Sequence, residues 1–131
     1  MAKVKTAAKS KKRIRKSFEE GKVYINATWN NTIVTLTDPE GNVLAWSSPG
    51  KNGFKGARQS TPYAGQVSAE QVAESAQAFG MKEVEVFVRG MGQARDQSIR
   101  GLMNGGLSVR SIACLTRMPH GGCRAKKVRK V

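Results

Sequence analysis

His120 and Cys123 stand three residues apart near the end of the chain, with Cys114 upstream, a spacing that metal ligands use. A structural zinc takes four protein ligands, and no fourth is evident. A nucleophilic cysteine needs a histidine oriented by a third group, and nothing obvious orients the single histidine. The simpler assignment is a core Cys114 and a loop Cys123. The carboxylates offer no better site, because metal-dependent phosphoryl chemistry requires acids that converge on divalent cations. Asp38 and Glu40 fall in a turn, Glu70 and Glu74 lie one helical turn apart, and Glu83 and Glu85 flank a strand. Asp96 suits the first turn of a helix, where the dipole favours an acid. The sequence therefore predicts no catalytic residue, no metal, no cofactor and no small-molecule substrate.

Two glycine-rich stretches point to anion binding instead. Gly90-Met91-Gly92 follows a strand and opens a helix, the setting of a dinucleotide fingerprint, but Arg95 stands where the third glycine belongs. A phosphate at that helix start, reached by backbone N–H groups and Arg95, is the alternative to a plain crossover turn. The loop Lys51-Asn52-Gly53-Phe54-Lys55-Gly56-Ala57-Arg58 combines three cations, flexible glycines and one aromatic ring. Cations that meet phosphates and a ring that stacks on an unpaired base are what RNA contacts favour.

The placement of charge supports that direction. The 131 residues carry a formal charge of +14, of which residues 1–22 hold a net +7 and residues 117–131 a net +6. The 94 residues between them carry only +1. A nearly neutral body can fold without strong self-repulsion, while each cationic end repels itself and is expected to stay disordered until it meets a polyanion. No apolar run approaches the ~18 residues of a membrane span, and the basic start is not followed by the apolar stretch of a signal peptide. Two cysteines are too few for a stapled secreted scaffold, so the chain reads as cytosolic and reduced.

The elements that must position these residues follow from periodicity. One domain of this length buries roughly two thirds of the surface its unfolded chain exposes. Val23, Ile25, Ala27 and Trp29 alternate with polar partners as a first strand, and Asn30-Asn31 precede the β-branched run Thr32 to Thr37. Asn tolerates the positive φ of a tight hairpin, so the two strands are expected to pair antiparallel. Asp38-Pro39-Glu40-Gly41 suits a type I turn leading to a third strand over Asn42 to Ser48. Pro49 to Arg58 reads as an exposed loop. Ser60 or Thr61 then caps a helix with Pro62 at its first position, an apolar face of Ala69, Val72, Ala73, Ala76 and Phe79, and Gly80 at its end. Val84, Val86 and Val88 mark a fourth strand, a short helix holds Ile99, Leu102 and Met103, and Ser108 to Thr116 supplies a fifth strand. The order β-β-β-α-β-α-β makes a single α/β domain with a mixed five-stranded sheet, and the late helices act as crossovers.

The stretches WNNTIVTLTDPEGNVLAWSSPGKNGFKGARQSTPYAGQ (29–66), VEVFVRGMGQARDQSIRGLMNGGLSVRSI (84–112) and PHGGCR (119–124) resemble the bacterial-type family of small-subunit ribosomal protein eleven. They span nearly the whole body in one register. The resemblance implies a ribonuclease H-like fold without nuclease carboxylates. It also implies a structural protein that binds small-subunit ribosomal RNA in the platform, near the region that pairs with messenger leaders. Small-subunit proteins seven and eighteen would be neighbours, with messenger RNA passing nearby. The chain departs from the family pattern at its end: Cys114, Leu115, Thr116 and Arg117 precede Met118-Pro119, Gly121 replaces an Asn, and Ala125-Lys126 replaces paired prolines. Losing those prolines frees the tail from an extended bias, although the cations remain.

The expected organisation is a basic arm over 1–22, an RNA-binding α/β domain over 23–116 and a basic tail over 117–131. Expected RNA contacts are Lys12, Arg13 and Arg15 in the arm; Asn30, Asn31, Lys51, Phe54, Lys55, Arg58 and Arg95 in the body; and Arg117, His120, Arg124, Lys126, Lys127, Arg129 and Lys130 in the tail. No homo-oligomer is suggested. The expected location is a cytoplasmic ribosome, and an organellar ribosome fits the same residues. A nuclease of the same fold lacks its strand carboxylate here. A membrane-surface role lacks an amphipathic stripe, since Val4, Ile14 and Phe18 are too widely spaced, and duplex DNA is separated from folded RNA only by competition.

Overall fold

The computed structural model describes residues 17–131. Lys12, Arg13 and Arg15 lie outside the described residues. Strands β1 (Glu20–Ala27), β2 (Thr32–Thr37) and β3 (Val43–Ser47) are followed by a 3-10 turn over Gly56–Ser60 and helix α1 (Pro62–Ala78). Strand β4 (Glu83–Arg89), helix α2 (Arg95–Asn104) and strand β5 (Ser108–Cys114) complete the body. The sheet runs β3-β2-β1-β4-β5, with β1 antiparallel to β2 and parallel to β4.

Topology decides where the helices lie. The connections β3 to β4 and β4 to β5 cross the sheet in the same direction, so right-handed crossovers place both helices on one face. That face is the core. Val23 and Ile25 of β1, Val34 and Leu36 of β2, and Val84, Val86 and Val88 of β4 are buried against Ala69, Val72, Ala73 and Ala76 of α1 and Leu102 of α2. Each fully buried valine or leucine contributes about 1.5–3 kcal/mol. The helices approach closely because small residues line their contact: a Cβ on Gly101 would stand 2.6 Å from the carbonyl oxygen of Gln66.

Local chemistry sets the boundaries. Thr61 caps α1, its hydroxyl accepting from the Ala64 N–H at 3.4 Å, with Pro62 at the first position. The helix ends in a Schellman arrangement around Gly80, at φ +78: the Met81 N–H donates to the Ala76 carbonyl and the Gly80 N–H to that of Gln77, both at 3.0 Å. In the turn after β2, the Gly41 N–H donates to the Asp38 carbonyl at 3.1 Å, as a type I turn requires. The Asp38 carboxylate accepts from the Asn42 backbone N–H at 2.7 Å and from its side-chain amide at 3.0 Å. The Asn42 amide, foremost, holds the Asp38 carboxyl below its ordinary value.

Four expectations need correction. Trp29 does not join the buried face of the first strand; it is 71% exposed and lies beyond the strand end. The β1–β2 turn uses no positive φ at Asn30 or Asn31, because Thr28 closes it: its N–H and hydroxyl donate to the Asn31 carbonyl at 2.8 and 3.0 Å, and its hydroxyl accepts from the Asn31 N–H. Arg58 belongs to the 3-10 turn rather than to an irregular loop. Cys114 is exposed, because it ends the edge strand, where no helix covers it. Among the described residues, no helix is long and apolar enough to cross a membrane.

Candidate nucleic-acid interface

The parallel strands β1, β4 and β5 all run toward one end of the sheet, and β3 runs the same way. The β1–β2 turn, the loop after β3, the glycine turn after β4 and the tail after β5 therefore emerge together at the carboxyl ends of the parallel strands. Both helices start at that end. Ligands of open α/β sheets gather at this position for the same topological reason. Here it collects Lys51, Lys55, Arg58, Arg89, Arg95 and Arg117, with Asp96 as its acid.

The opposite end has the other sign. Glu19, Glu20, Asp38, Glu40 and Glu83 start strands or occupy turns there, against Lys22, Lys82 and Arg110. Among the described residues the one ion pair is Arg110 with Glu20, at 3.5 Å, and it belongs to this acidic end. The cations of the carboxyl end have no carboxylate within 4 Å among the described residues.

The loop after β3 is pinned by its own hydrogen bonds and to the body. Pro49 is buried, and its carbonyl accepts from the N–H groups of Asn52 and Phe54 at 3.1 and 3.0 Å. Asn52 ties the loop to the body through its amide, which donates to the hydroxyls of Ser47 and Ser68, each at 3.2 Å. Lys51 folds back, its Nζ donating to the Trp46 carbonyl at 3.1 Å and lying 4.8 Å from the centre of the Trp46 ring. Phe54 is half-buried and meets Tyr63 edge-on at 6.0 Å. Phe54, Lys55 and Arg58 line a cavity of about 390 Å³ with Asn52 and Gly53. Of the expected contacts in this loop, the structure brings Phe54, Lys55 and Arg58 to one cavity and directs Lys51 to a tryptophan.

The glycine turn is packed against the end of β1. The Gly92 N–H donates to the Ala27 carbonyl at 3.0 Å and the Gly90 N–H to the Thr116 hydroxyl at 3.2 Å. Two of the amides offered by the sequence for a phosphate are thus already engaged. Arg95 donates to the Cys114 sulfur at 3.6 Å. The Thr116 hydroxyl, 3.3 Å from that sulfur, is the leading cause that lowers the Cys114 thiol below its ordinary value, and Arg95 adds to it.

Asn30 is exposed at the tip of the β1–β2 turn, whereas the Asn31 side-chain oxygen is buried and has no hydrogen-bond partner among the described residues. Beyond Thr116 the chain has no regular structure. Arg117, His120, Arg124, Lys126, Lys127, Arg129 and Lys130 are exposed and spread along it rather than gathered into a pocket. Among the described residues, no three His, Cys, Asp or Glu side chains cluster as ligands of one ion. Sequence reasoning missed Arg89 and the Lys51–Trp46 contact. Arg89 was legible, since its place at the end of an alternating strand puts it at this rim.

The fold and rim define a single-sheet α/β protein with cations gathered where its parallel strands end. A family model described as Ribosomal protein S11 matches residues 21–130. The chain is 48% identical over 127 residues to the small ribosomal subunit protein uS11 of Psychromonas ingrahamii, covering 97% of this chain and 98% of that one. It is 52% identical over 118 residues to the protein of the same name from Thermus thermophilus, covering 90% and 92%. With the namesake from Chromobacterium violaceum the identity is 46% over 131 residues and the full length of both. The chain belongs to the ribosomal protein S11 family.

Proposed function

We propose that this protein is a structural constituent of the small ribosomal subunit, in the cytoplasm, that binds small-subunit ribosomal RNA through the carboxyl end of its sheet. The observation that carries the reading is the separation of charge among the described residues: cations without carboxylate partners at one end of the sheet, and acids with the one ion pair at the other. Within the folded body phosphates are drawn to the first end rather than the second, which orients the body's own surface toward RNA. Its task is positional rather than catalytic.

The two basic extensions add reach. The tail over 117–131 leaves from the cationic end, beside β4, where the Leu115 N–H donates to the Val88 carbonyl at 2.7 Å. The basic N-terminal arm joins the body at the acidic end ahead of β1, where the Phe18 N–H donates to the Phe79 carbonyl at 3.2 Å. Extensions at opposite ends let one small body hold RNA segments that a compact surface does not span, with phosphate contacts from Lys12, Arg13 and Arg15 on one side and Arg124, Lys127 and Arg129 on the other. The family's fold is ribonuclease H-like in this reading. Its site is the platform near the messenger-leader pairing region, beside small-subunit proteins seven and eighteen.

The test is sedimentation of a tagged copy from native lysate through a sucrose gradient, with and without ribonuclease. Co-migration with the small subunit that is lost on RNA digestion is the expected result. A position at the top of the gradient while endogenous subunits remain intact refutes it.

A further inference from the structure

The face of the sheet opposite the helices carries no covering element among the described residues. The registers place one row of residues straight across it: Trp46 of β3 opposite Thr35 of β2, Thr35 opposite Tyr24 of β1, Tyr24 opposite Phe87 of β4. Three of these four are aromatic. Tyr24 and Phe87 stack on each other, with centroids 5.2 Å apart and planes 18° from parallel, and Trp46 is 52% exposed. The next row toward the carboxyl end holds Ile33, Asn26 and Arg89. Asn26 and Arg89 join Tyr24, Phe87 and Leu115 around a cleft of about 110 Å³.

The charge on this face is graded. Arg89 lies on the carboxyl side of the aromatic row and Lys51 sits over Trp46, whereas the neighbouring cavity toward the other end is lined by three acids, Glu20, Glu83 and Glu85, against Arg110, which pairs with Glu20, and Lys22, whose Nζ lies 6.0 Å from the centre of the Phe87 ring. An occupant must therefore present flat apolar groups to the ring row and negative charge toward the carboxyl-end rim, and it must stop short of the acids. A duplex fits poorly, because its bases are paired and its phosphates would extend over the glutamates. An unpaired nucleotide fits: its base is sequence-tolerant in stacking and its phosphate reaches Arg89. We infer that the aromatic row of the uncovered sheet face is a second RNA contact, which takes one or two unpaired nucleotides bent over the cationic rim. Arg89 meets the phosphate, and Asn26 offers hydrogen bonds to a base edge in the cleft. The inference rests on the RNA-binding reading and adds a surface of different specificity.

The experiment uses the full chain with Trp29→Phe, which leaves Trp46 as its single tryptophan. Decauridine and a blunt ten-base-pair RNA duplex are titrated separately, and decauridine containing 4-thiouridine is cross-linked and mapped by mass spectrometry. Decauridine is expected to quench Trp46 emission and cross-link to peptides holding Tyr24, Phe87 or Leu115, while the duplex binds without quenching. Tyr24→Leu and Phe87→Leu together are expected to weaken decauridine binding roughly tenfold and leave duplex binding unchanged. Asn26→Ala, which lines the cleft, lies outside the set of rim cations and removes no packing from the ring pair, weakens decauridine binding and leaves duplex binding unchanged if the leucine pair lowers the melting temperature. Decauridine binding with Trp46 silent and cross-links confined to the tails and the loop after β3 overturns the inference and leaves the RNA-binding reading intact. Binding of neither RNA overturns both. A poly-glutamate peptide that quenches Trp46 while decauridine does not assigns the face to an acidic protein and also overturns it.

Discussion

Gly90 sits so close to Ala27 that a Cβ placed on it would overlap the Ala27 carbonyl oxygen, and its φ of +95 lies in the region that side chains disfavour. The turn after β4 is therefore fitted to the end of β1, and through the Thr116 hydroxyl to the start of the tail. Gly90→Ala must move the backbone at the place where three parts of the rim meet. Gly41, at φ +100 with nothing within 4 Å of an added Cβ, separates conformational strain from overlap. Gly41→Ala is expected to cost about 1–2 kcal/mol, and Gly90→Ala ~3 kcal/mol or more. Urea unfolding of the two variants measures the difference, and equal losses would show that overlap at Gly90 is relieved without consequence.

Binding to small-subunit RNA is expected to be strongly salt-dependent. If about eight phosphates are neutralised, log affinity falls against log salt with a slope on the order of −6 to −7. Lys55→Ala with Arg58→Ala removes two cations from one cavity and is expected to flatten the slope by about 1 to 2. Lys82→Ala, at the acidic end, leaves it unchanged. Filter binding across a salt series makes the comparison, and an unchanged slope in the double variant would remove the loop from the interface.

What the sequence revealed and what it withheld differ for physical reasons. The strands of β1 and β4 and the helix α1 were legible because alternation, a Thr-Pro start and a glycine stop act locally, and the structure uses each of them. The three cations of the loop were visible as residues, yet Lys51 turning to Trp46 was not, since that contact depends on how the loop folds back over its own strand. Trp29 was misassigned because alternation alone does not mark where a strand stops, and Thr28 ends it by bonding to Asn31. Cys114 was misassigned to the core because strand periodicity does not say that a strand is at an edge. The row of rings across the uncovered face required registers between four strands, which no local pattern contains.

The Cys114 thiol is expected to react faster with alkylating reagents than its ordinary value allows. Its Sγ lies 3.3 Å from the Thr116 hydroxyl and 3.6 Å from an Arg95 nitrogen, and both interactions favour the thiolate, which is the nucleophile. Thr116→Val removes the larger cause and moves the thiol back up toward 9.0. Iodoacetamide modification of the folded chain as a function of pH, followed by peptide mapping, reads the midpoint. Thr116→Val is expected to shift it upward and slow the reaction near neutral pH, and Arg95→Gln to shift it less. Identical profiles for the three proteins would mean that the sulfur does not use these partners in solution.

Acid sensitivity should include a contribution from the turn between β2 and β3. The Asn42 side-chain amide, ahead of the backbone N–H groups, holds the Asp38 carboxyl below its ordinary value of 3.8. A carboxyl depressed in the folded state binds a proton more readily when unfolded, so it stabilises the fold at pH values above the unfolded pKa. That contribution is fully present at neutral pH. It begins to fall near pH 4 and disappears as the pH drops through the folded value. Asp38→Ala removes the group, so the stability difference between the natural chain and this variant is expected to be largest at neutral pH and to shrink below about pH 4. Other carboxylates titrate in both proteins and largely cancel in the difference. Melting temperatures of the two chains from pH 7 to pH 2.5 provide the test. A difference that stays constant over that range would show that Asp38 acts by shape alone.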